Sequence, residues 1–301
     1  MQPPEAVFRF IHDKITYEVL YVPAADGTPL YVNRVGSPDS PVILLANGIG
    51  VRWYGLHPLF KALSQHACVL GWDYRGMGGS VPLQSFHVNI VDHARDALTV
   101  LDALTNGRPV AALGWSMGVP VLVEAHRLNP HRFTRIVMAF GAPGRPFTWT
   151  FSPFVDFFIR ASLSLAVRTP AVPYTLRAVL SRMEPQVRAF LYAIRFAGKR
   201  SSPELFRMCV EGVLANLLEN YGRTLIGLSA HDGWDHLPHM QLPVMVYGGT
   251  ADWVTPVSTM RKTARELPNA NYREIPSASH FALIENHDGL IPEIIEFLLK
   301  P

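Results

Sequence analysis

At 301 residues, with 49% apolar and 17% charged side chains, the chain has ample material for a buried core in one large or two small domains and is excluded from the disordered class. A net charge of +3, dispersed along the sequence, carries no nucleic-acid signature. Cys68 and Cys209 sit in apolar stretches without metal-type spacing and read as reduced core thiols, and the N-terminus lacks the basic start and apolar run of a secretory signal, so a cytoplasmic location is expected.

Taken in order, Val19–Pro23 and Leu30–Val35 are β-runs joined across Asp26-Gly27, an antiparallel hairpin. After the breaker Ser37-Pro38-Asp39-Ser40-Pro41, Val42–Ala46 is a continuous apolar strand of the kind buried on both faces of a parallel sheet, ending in Asn47-Gly48-Ile49-Gly50. A helix is expected over Trp53–Gln65 and a strand over Ala67–Trp72, followed by the glycine-dense loop Asp73–Ser80. Between Phe86 and Leu104, Val91, Ala94, Leu98 and Leu101 recur at helical spacing. Pro109–Leu113 and Arg135–Phe140 are further strands. Alternation then stops. From about Arg145 to Asp235 the segments are helical and apolar, punctuated by prolines, with Ser202-Pro203-Glu204 opening one helix. It resumes with a strand at Pro243–Tyr247, a helix opened by Thr255-Pro256, a strand near Tyr272–Ile275 and a last helix over Leu290–Leu299. Alternating strands and helices predict a mostly parallel sheet covered on both faces, and the interruption predicts an inserted helical subdomain.

Within that insertion, Phe147–Ala166 is apolar enough to suggest a membrane span, but Pro153, Asp156 and Arg160 interrupt it. A lid helix with an apolar inner face is expected instead. The stretch from Arg145 to Asp235 holds 11 Lys/Arg and 7 Asp/Glu, so the lid is cationic as well as apolar. Its arginines are read as a solvated face; the alternative is weak attraction to anionic substrate groups or a membrane surface.

The stretch with the most chemical content is Gly114-Trp115-Ser116-Met117-Gly118, between an apolar strand and the run Val119–Ala125. Glycines two before and two after a serine let strand and helix approach closely while the serine is presented at the tip of a sharp turn. A serine hydroxyl attacks only when a base takes its proton and a carboxylate orients that base. Asp252 stands in the loop leaving a late strand, and His280 follows the last strand. Ser116, Asp252 and His280 thus each fall just past the C-terminal end of an expected strand, where an open α/β sheet binds ligands.

This order resembles that of the α/β-hydrolase superfamily, over nearly the whole chain. Asn47-Gly48-Ile49-Gly50 lies where members carry His-Gly-x-x, Asp73–Ser80 is similar to the Asp-x-Arg-Gly-x-Gly-x-Ser loop, Gly249–Pro256 to the acid loop, and His280–Glu285 to the His-x-x-x-x-Glu ending. The resemblance implies an α/β-hydrolase fold: a mostly parallel eight-stranded sheet with helices on both faces, a core of residues 1–144 and 236–301, and a helical cap of residues 145–235. It also implies Ser116 as nucleophile, His280 as base, Asp252 as orienting acid, and the backbone N–H groups of Ile49 and Met117 as oxyanion donors. Two departures are Asn47 for the usual histidine and Ser279 for the glycine before the histidine.

No cofactor is implied. Of the remaining histidines, His231, His236 and His239 cluster with Asp232 and Asp235, but a polar connector without a closed ligand set argues against a metal. Asp73 reads as the brace of its own loop, and His287 as part of a turn into the last helix. Trp115 either lines the acyl pocket or packs under the turn. Together with Phe147, Trp149 and Phe154 of the lid it is carried as a candidate substrate contact. The resulting expectation is a serine esterase or lipase-like enzyme acting on a small hydrophobic ester. The same triad can instead run carbon–carbon bond hydrolysis, perhydrolysis or acyl transfer, and a non-catalytic receptor using the same pocket is the alternative from another class.

Overall fold

The computed structural model describes residues 7–12, 14–85, 88–145, 171–216, 218–285 and 289–300. The longest apolar runs form the middle of the sheet. β4 (Val42–Ala46), β5 (Cys68–Trp72) and β6 (Val110–Trp115) are buried along their whole length, as strands covered on both faces must be. Around them stand β1 (Val7–His12), β2 (Ile15–Pro23), β3 (Pro29–Val35), β7 (Phe133–Ala139), β8 (Val244–Gly249) and β9 (Ala270–Ile275). Their order is β1-β2-β3-β5-β4-β6-β7-β8-β9, antiparallel from β1 to the β3–β5 pair and parallel from there to β9.

The sheet therefore has nine strands, the eight expected plus β1. β1 pairs with β2 from Val7↔Leu20 to His12↔Ile15, and Lys14 in the connection takes a left-handed φ of 64°. The signal was present in the sequence: the β-prone run Val7–His12 is separated from Ile15 by two residues, a hairpin spacing.

Helices α1 (His57–Ser64), α2 (Ile90–Leu104), α3 (Gly118–Leu128), α8 (Val257–Glu266) and α9 (Leu290–Leu299) cover the sheet. Side chains of α2, α3 and α8 enter one core with β2, β4, β6 and β8, and those of α1 and α9 enter a second on the opposite face. The α2 helix begins at Ile90, later than Phe86, because Asn89 and Asp92 form a reciprocal capping box that satisfies the first free N–H groups. Between β7 and β8 the chain leaves the sheet for α4 (Ala171–Arg182), α5 (Glu184–Ala193), α6 (Pro203–Ala215) and α7 (Leu218–Ala230). The Ser202 hydroxyl accepts the Leu205 N–H at 3.4 Å and starts α6 where the Ser-Pro-Glu signal placed it. Among the described residues no helix is long and apolar enough to cross a membrane. Cys68 and Cys209 are free and buried, and burial pushes their thiols up to about 11 and about 12.

The histidines around α3 are part of the packing. His126 Nδ1 lies 2.9 Å from His236 Nε2, and His231 Nε2 lies 3.7 Å from the Glu124 carboxylate. Burial pulls His126 and His231 down to about 4, with His236 and Arg127 adding repulsion, and it pulls His93 on α2 down to about 3. In the unfolded chain these groups take protons near their ordinary value of about 6.5. Their contribution is therefore complete above that pH and is lost as the pH falls toward the folded values. Asp96, raised to about 6 by burial against the pull of Arg75, works in the opposite direction, as do Asp73 and Glu124, also raised by burial. His236, lowered by burial, joins the other three histidines, whose ordinary value of about 6.5 falls inside the window from pH 7 to pH 5 and sets the sign there. The urea midpoint of unfolding is thus expected to fall between pH 7 and pH 5. An equal or higher midpoint at pH 5 would contradict the neutral packing of these histidines.

Candidate active site

Three loops at the C-terminal edge of the parallel strands converge. Ser116 follows β6 at φ 55°, a left-handed conformation held by its N–H donating to the Ala139 carbonyl at 3.1 Å and by close packing around the flanking glycines. A Cβ on Gly118 would stand 1.9 Å from the Ala46 carbonyl oxygen, and one on Gly114 would stand 2.6 Å from that of Gly118. Only glycine lets strand β6, helix α3 and strand β4 meet this closely. The turn therefore lifts the Ser116 side chain to a partly exposed position while its neighbours on both sides are buried.

His280, 4% exposed, places Nε2 2.9 Å from Ser116 Oγ and Nδ1 3.0 Å from Asp252 Oδ2. Asp252 is fixed on its other sides. Val254 and Thr255 donate their N–H groups to Oδ1 at 2.9 and 3.0 Å, and the Thr255 hydroxyl donates to Oδ2 at 2.7 Å. The three residues singled out in the sequence are thus in one hydrogen-bonded line, hydroxyl to imidazole to carboxylate, across 164 and 28 residues of chain.

Beside Ser116, a Cβ on Gly48 would touch the Trp115 ring at 3.2 Å and the Ser116 Cβ at 3.4 Å, so the loop after β4 lies against the serine. Met117 turns its side chain into the core, and neither its N–H nor that of Ile49 donates to a described backbone carbonyl. Asn47 is buried, and its carbonyl accepts the Tyr74 hydroxyl at 2.7 Å, a bond to the backbone that holds the loop without the usual histidine.

A model of the Alpha/beta hydrolase family matches residues 43–293. The chain belongs to that family. Curated relatives include a poly(3-hydroxyalkanoate) depolymerase of Ectopseudomonas oleovorans, 27% identical over 88% of this chain and 87% of that protein. A pimeloyl-[acyl-carrier protein] methyl ester esterase of Chromobacterium violaceum is 25% identical over 89% and 98%. Polyketide synthase ThaQ of Burkholderia thailandensis is 24% identical over 94% of this chain, which spans 13% of that protein's length. Among solved structures, a hydrolase from Pseudomonas aeruginosa PA01 superposes with a TM-score of 0.76 over 93% of this chain and 98% of its own, at 21% identity, and shares the fold.

A cavity opens beside the serine. It has a volume of about 220 Å³, and Ser116 and His280 stand in its wall. Most of its remaining wall is apolar, with Val187 and Leu191 from α5, Phe206 and Val210 from α6, and Phe196 between them. Sequence reasoning missed these contacts because Val, Leu and Phe on amphipathic helices carry no sign of whether they face a core or a ligand. Phe147, Trp149 and Phe154 lie outside the described residues, as does His287. Trp115 unites its two readings. It borders the cavity, yet it is 1% exposed and donates its indole N–H to the His280 carbonyl at 3.0 Å, bracing the histidine loop.

The two departures from the family pattern and the loop aspartate also acquire physical roles. Ser279 donates its hydroxyl to the Glu285 carboxylate and accepts the Gly198 N–H at 2.9 Å, while Glu285 accepts the N–H groups of Gly198 and Ser279 at 2.9 and 3.2 Å. The histidine loop is thereby tied to the segment between α5 and α6. Asp73 accepts the Gly79 N–H at 2.8 Å within its own loop and pairs with Arg52 at 3.1 Å. Burial raises its carboxyl and the Arg52 guanidinium opposes that. Asn216 and Asn220, polar residues one turn apart at the α6–α7 junction, were unremarked in the sequence. Asn216 donates to the Gly50 carbonyl at 3.2 Å and accepts the Gly78 N–H at 2.8 Å, and Asn220 donates to the Gly76 carbonyl at 2.8 Å.

Proposed function

We propose that the protein is a serine hydrolase that cleaves a small, uncharged, hydrophobic carboxylic ester through an acyl-enzyme. The single observation that carries the proposal is the line Ser116 Oγ, His280 Nε2, His280 Nδ1 and Asp252 Oδ2, with steps of 2.9 and 3.0 Å, opening on a cavity without an aspartate, glutamate, lysine or arginine in its described lining. Ester-cleaving relatives, among them a methyl ester esterase, support the reaction class.

In this reading Ser116 attacks the acyl carbon as His280 takes its proton, and the oxyanion forms against the N–H groups of Ile49 and Met117. His280 then returns the proton to the departing alcohol, and water repeats the cycle on the acyl-enzyme. Asp252 holds Nδ1–H so that Nε2 faces the serine. Residues 145–235 act as a cap whose helices α5 to α7 exclude water and set the acyl length. Expelling water strengthens each of these electrostatic contacts. Purified protein is expected to hydrolyse p-nitrophenyl esters of short to medium acyl chains and to be labelled at Ser116 by a fluorophosphonate. Absence of both turnover and label overturns the proposal.

A further inference from the structure

The described lining of the cavity contains four side chains with a polar group: Trp115, Ser116, Tyr221 and His280. Three of them are committed, Trp115 to the His280 carbonyl and Ser116 and His280 to each other. Tyr221, on α7, is not. Its ring packs against the loop after β4, where a Cβ on Gly50 would meet Cε2 at 2.9 Å, and this loop also carries Ile49. No described residue accepts from or donates to its hydroxyl. The oxygen is also not among the sealed polar atoms that lack a partner; the tyrosines in that class are Tyr192 and Tyr247. Tyr221 borders the cavity, so a polar group that enters the cavity is placed to satisfy a hydroxyl that no described residue satisfies.

We infer that the Tyr221 hydroxyl is a specificity-determining hydrogen-bond partner that selects esters bearing a second oxygen function, a hydroxy or oxo group, on an otherwise apolar skeleton. The inference rests on the hydrolase reading above. A purely alkyl substrate that fills the cavity strips water from this hydroxyl and returns nothing, leaving a buried polar group unpaired. A substrate with an oxygen in reach restores the bond. A charged group is disfavoured, because the apolar wall offers no counter-ion. Burial pushes the phenol up to about 12, so it stays a neutral donor over the working pH range of the proposed reaction.

The test compares kcat/KM for esters of equal length in three forms: plain alkyl, oxygenated on the acyl chain (3-hydroxy and 3-oxo), and oxygenated on the alcohol (2-hydroxyethyl against propyl). The unmodified protein is expected to prefer one oxygenated form over its alkyl counterpart, and the arm in which it does so locates Tyr221 on the acyl or the alcohol side. In Tyr221→Phe, which keeps the ring on Gly50, that preference is expected to fall about tenfold, the size of one neutral hydrogen bond. An unmodified protein without preference, or a preference unchanged in Tyr221→Phe, overturns the inference while fluorophosphonate labelling and alkyl-ester turnover leave the hydrolase reading standing. A protein that neither takes the label nor turns over any of the esters overturns both.

Discussion

Replacing Ser116 by alanine is expected to lower kcat for any ester the protein turns over by about 10⁴- to 10⁶-fold, with KM nearly unchanged. The substitution removes one oxygen. It leaves the left-handed turn, the Ser116 N–H bond to Ala139 and the glycine contacts with β4 intact, so the melting temperature is expected to move little. With the oxygen goes the hydroxyl that His280 Nε2 addresses at 2.9 Å, and with it the acyl-enzyme of the proposed mechanism. Residual turnover would come from water placed by the same imidazole beside the Ile49 and Met117 amides. Fluorophosphonate labelling is expected to vanish with the activity. Retention of more than about one part in a hundred of the rate would assign the nucleophile to another group. A receptor using the same cavity would behave differently: ligand binding would survive the substitution and there would be no turnover to lose.

How much of this site the sequence made legible depended on whether each feature is a matter of chain order or of side-chain direction. Ser116, Asp252 and His280 could be found because each sits in a loop directly after a strand, and parallel strands bring all their C-terminal ends to one edge. Gly114 and Gly118 were informative for the same reason: steric limits of 2.6 Å at the Gly118 carbonyl and 1.9 Å at the Ala46 carbonyl admit no other residue, so the sequence must show them. The inner surface of the cavity obeys no such limit. Leu191, Phe206 and Val210 would look the same whether they met a core or a substrate, and the lid aromatics that attracted attention, Phe147, Trp149 and Phe154, were distinguished by their density in an inserted segment. Asn216 and Asn220 could have been noticed as amides four residues apart within an apolar helical stretch, since such groups are rarely buried without a purpose. Their partners, Gly50, Gly76 and Gly78, are more than 130 residues away and cannot be read from spacing. β1 was missed for a different reason: hairpins at a sheet margin are local signals, and Val7–His12 was short enough to pass as a tail.

Asp252→Asn is expected to cost about 10⁴-fold in kcat, although it changes neither the size nor the shape of the side chain. The carboxylate receives four hydrogen bonds: Val254 N–H and Thr255 N–H on Oδ1, and the Thr255 hydroxyl and His280 Nδ1–H on Oδ2. An asparagine has one acceptor oxygen and one NH₂ group. The two backbone N–H groups on Oδ1 cannot rotate away, so the amide oxygen is expected to take that position and the NH₂ to face Thr255 and His280. The threonine hydroxyl can turn and accept. The imidazole must then accept at Nδ1, which moves its proton to Nε2 and points a donor at Ser116 where an acceptor is required. The nucleophile is left with no base, and the line of three residues keeps its distances while losing its direction. Because Asp252 is almost wholly buried, substitution by alanine would add a cavity and unpaired N–H groups, lowering stability by about 1 to 3 kcal/mol as well as activity. Asparagine separates the two effects. A variant that melts near the parent temperature, binds substrate with KM within about threefold and has lost kcat would place the role of Asp252 in the tautomer of His280. Equal losses in stability and rate for the two variants would place it in packing.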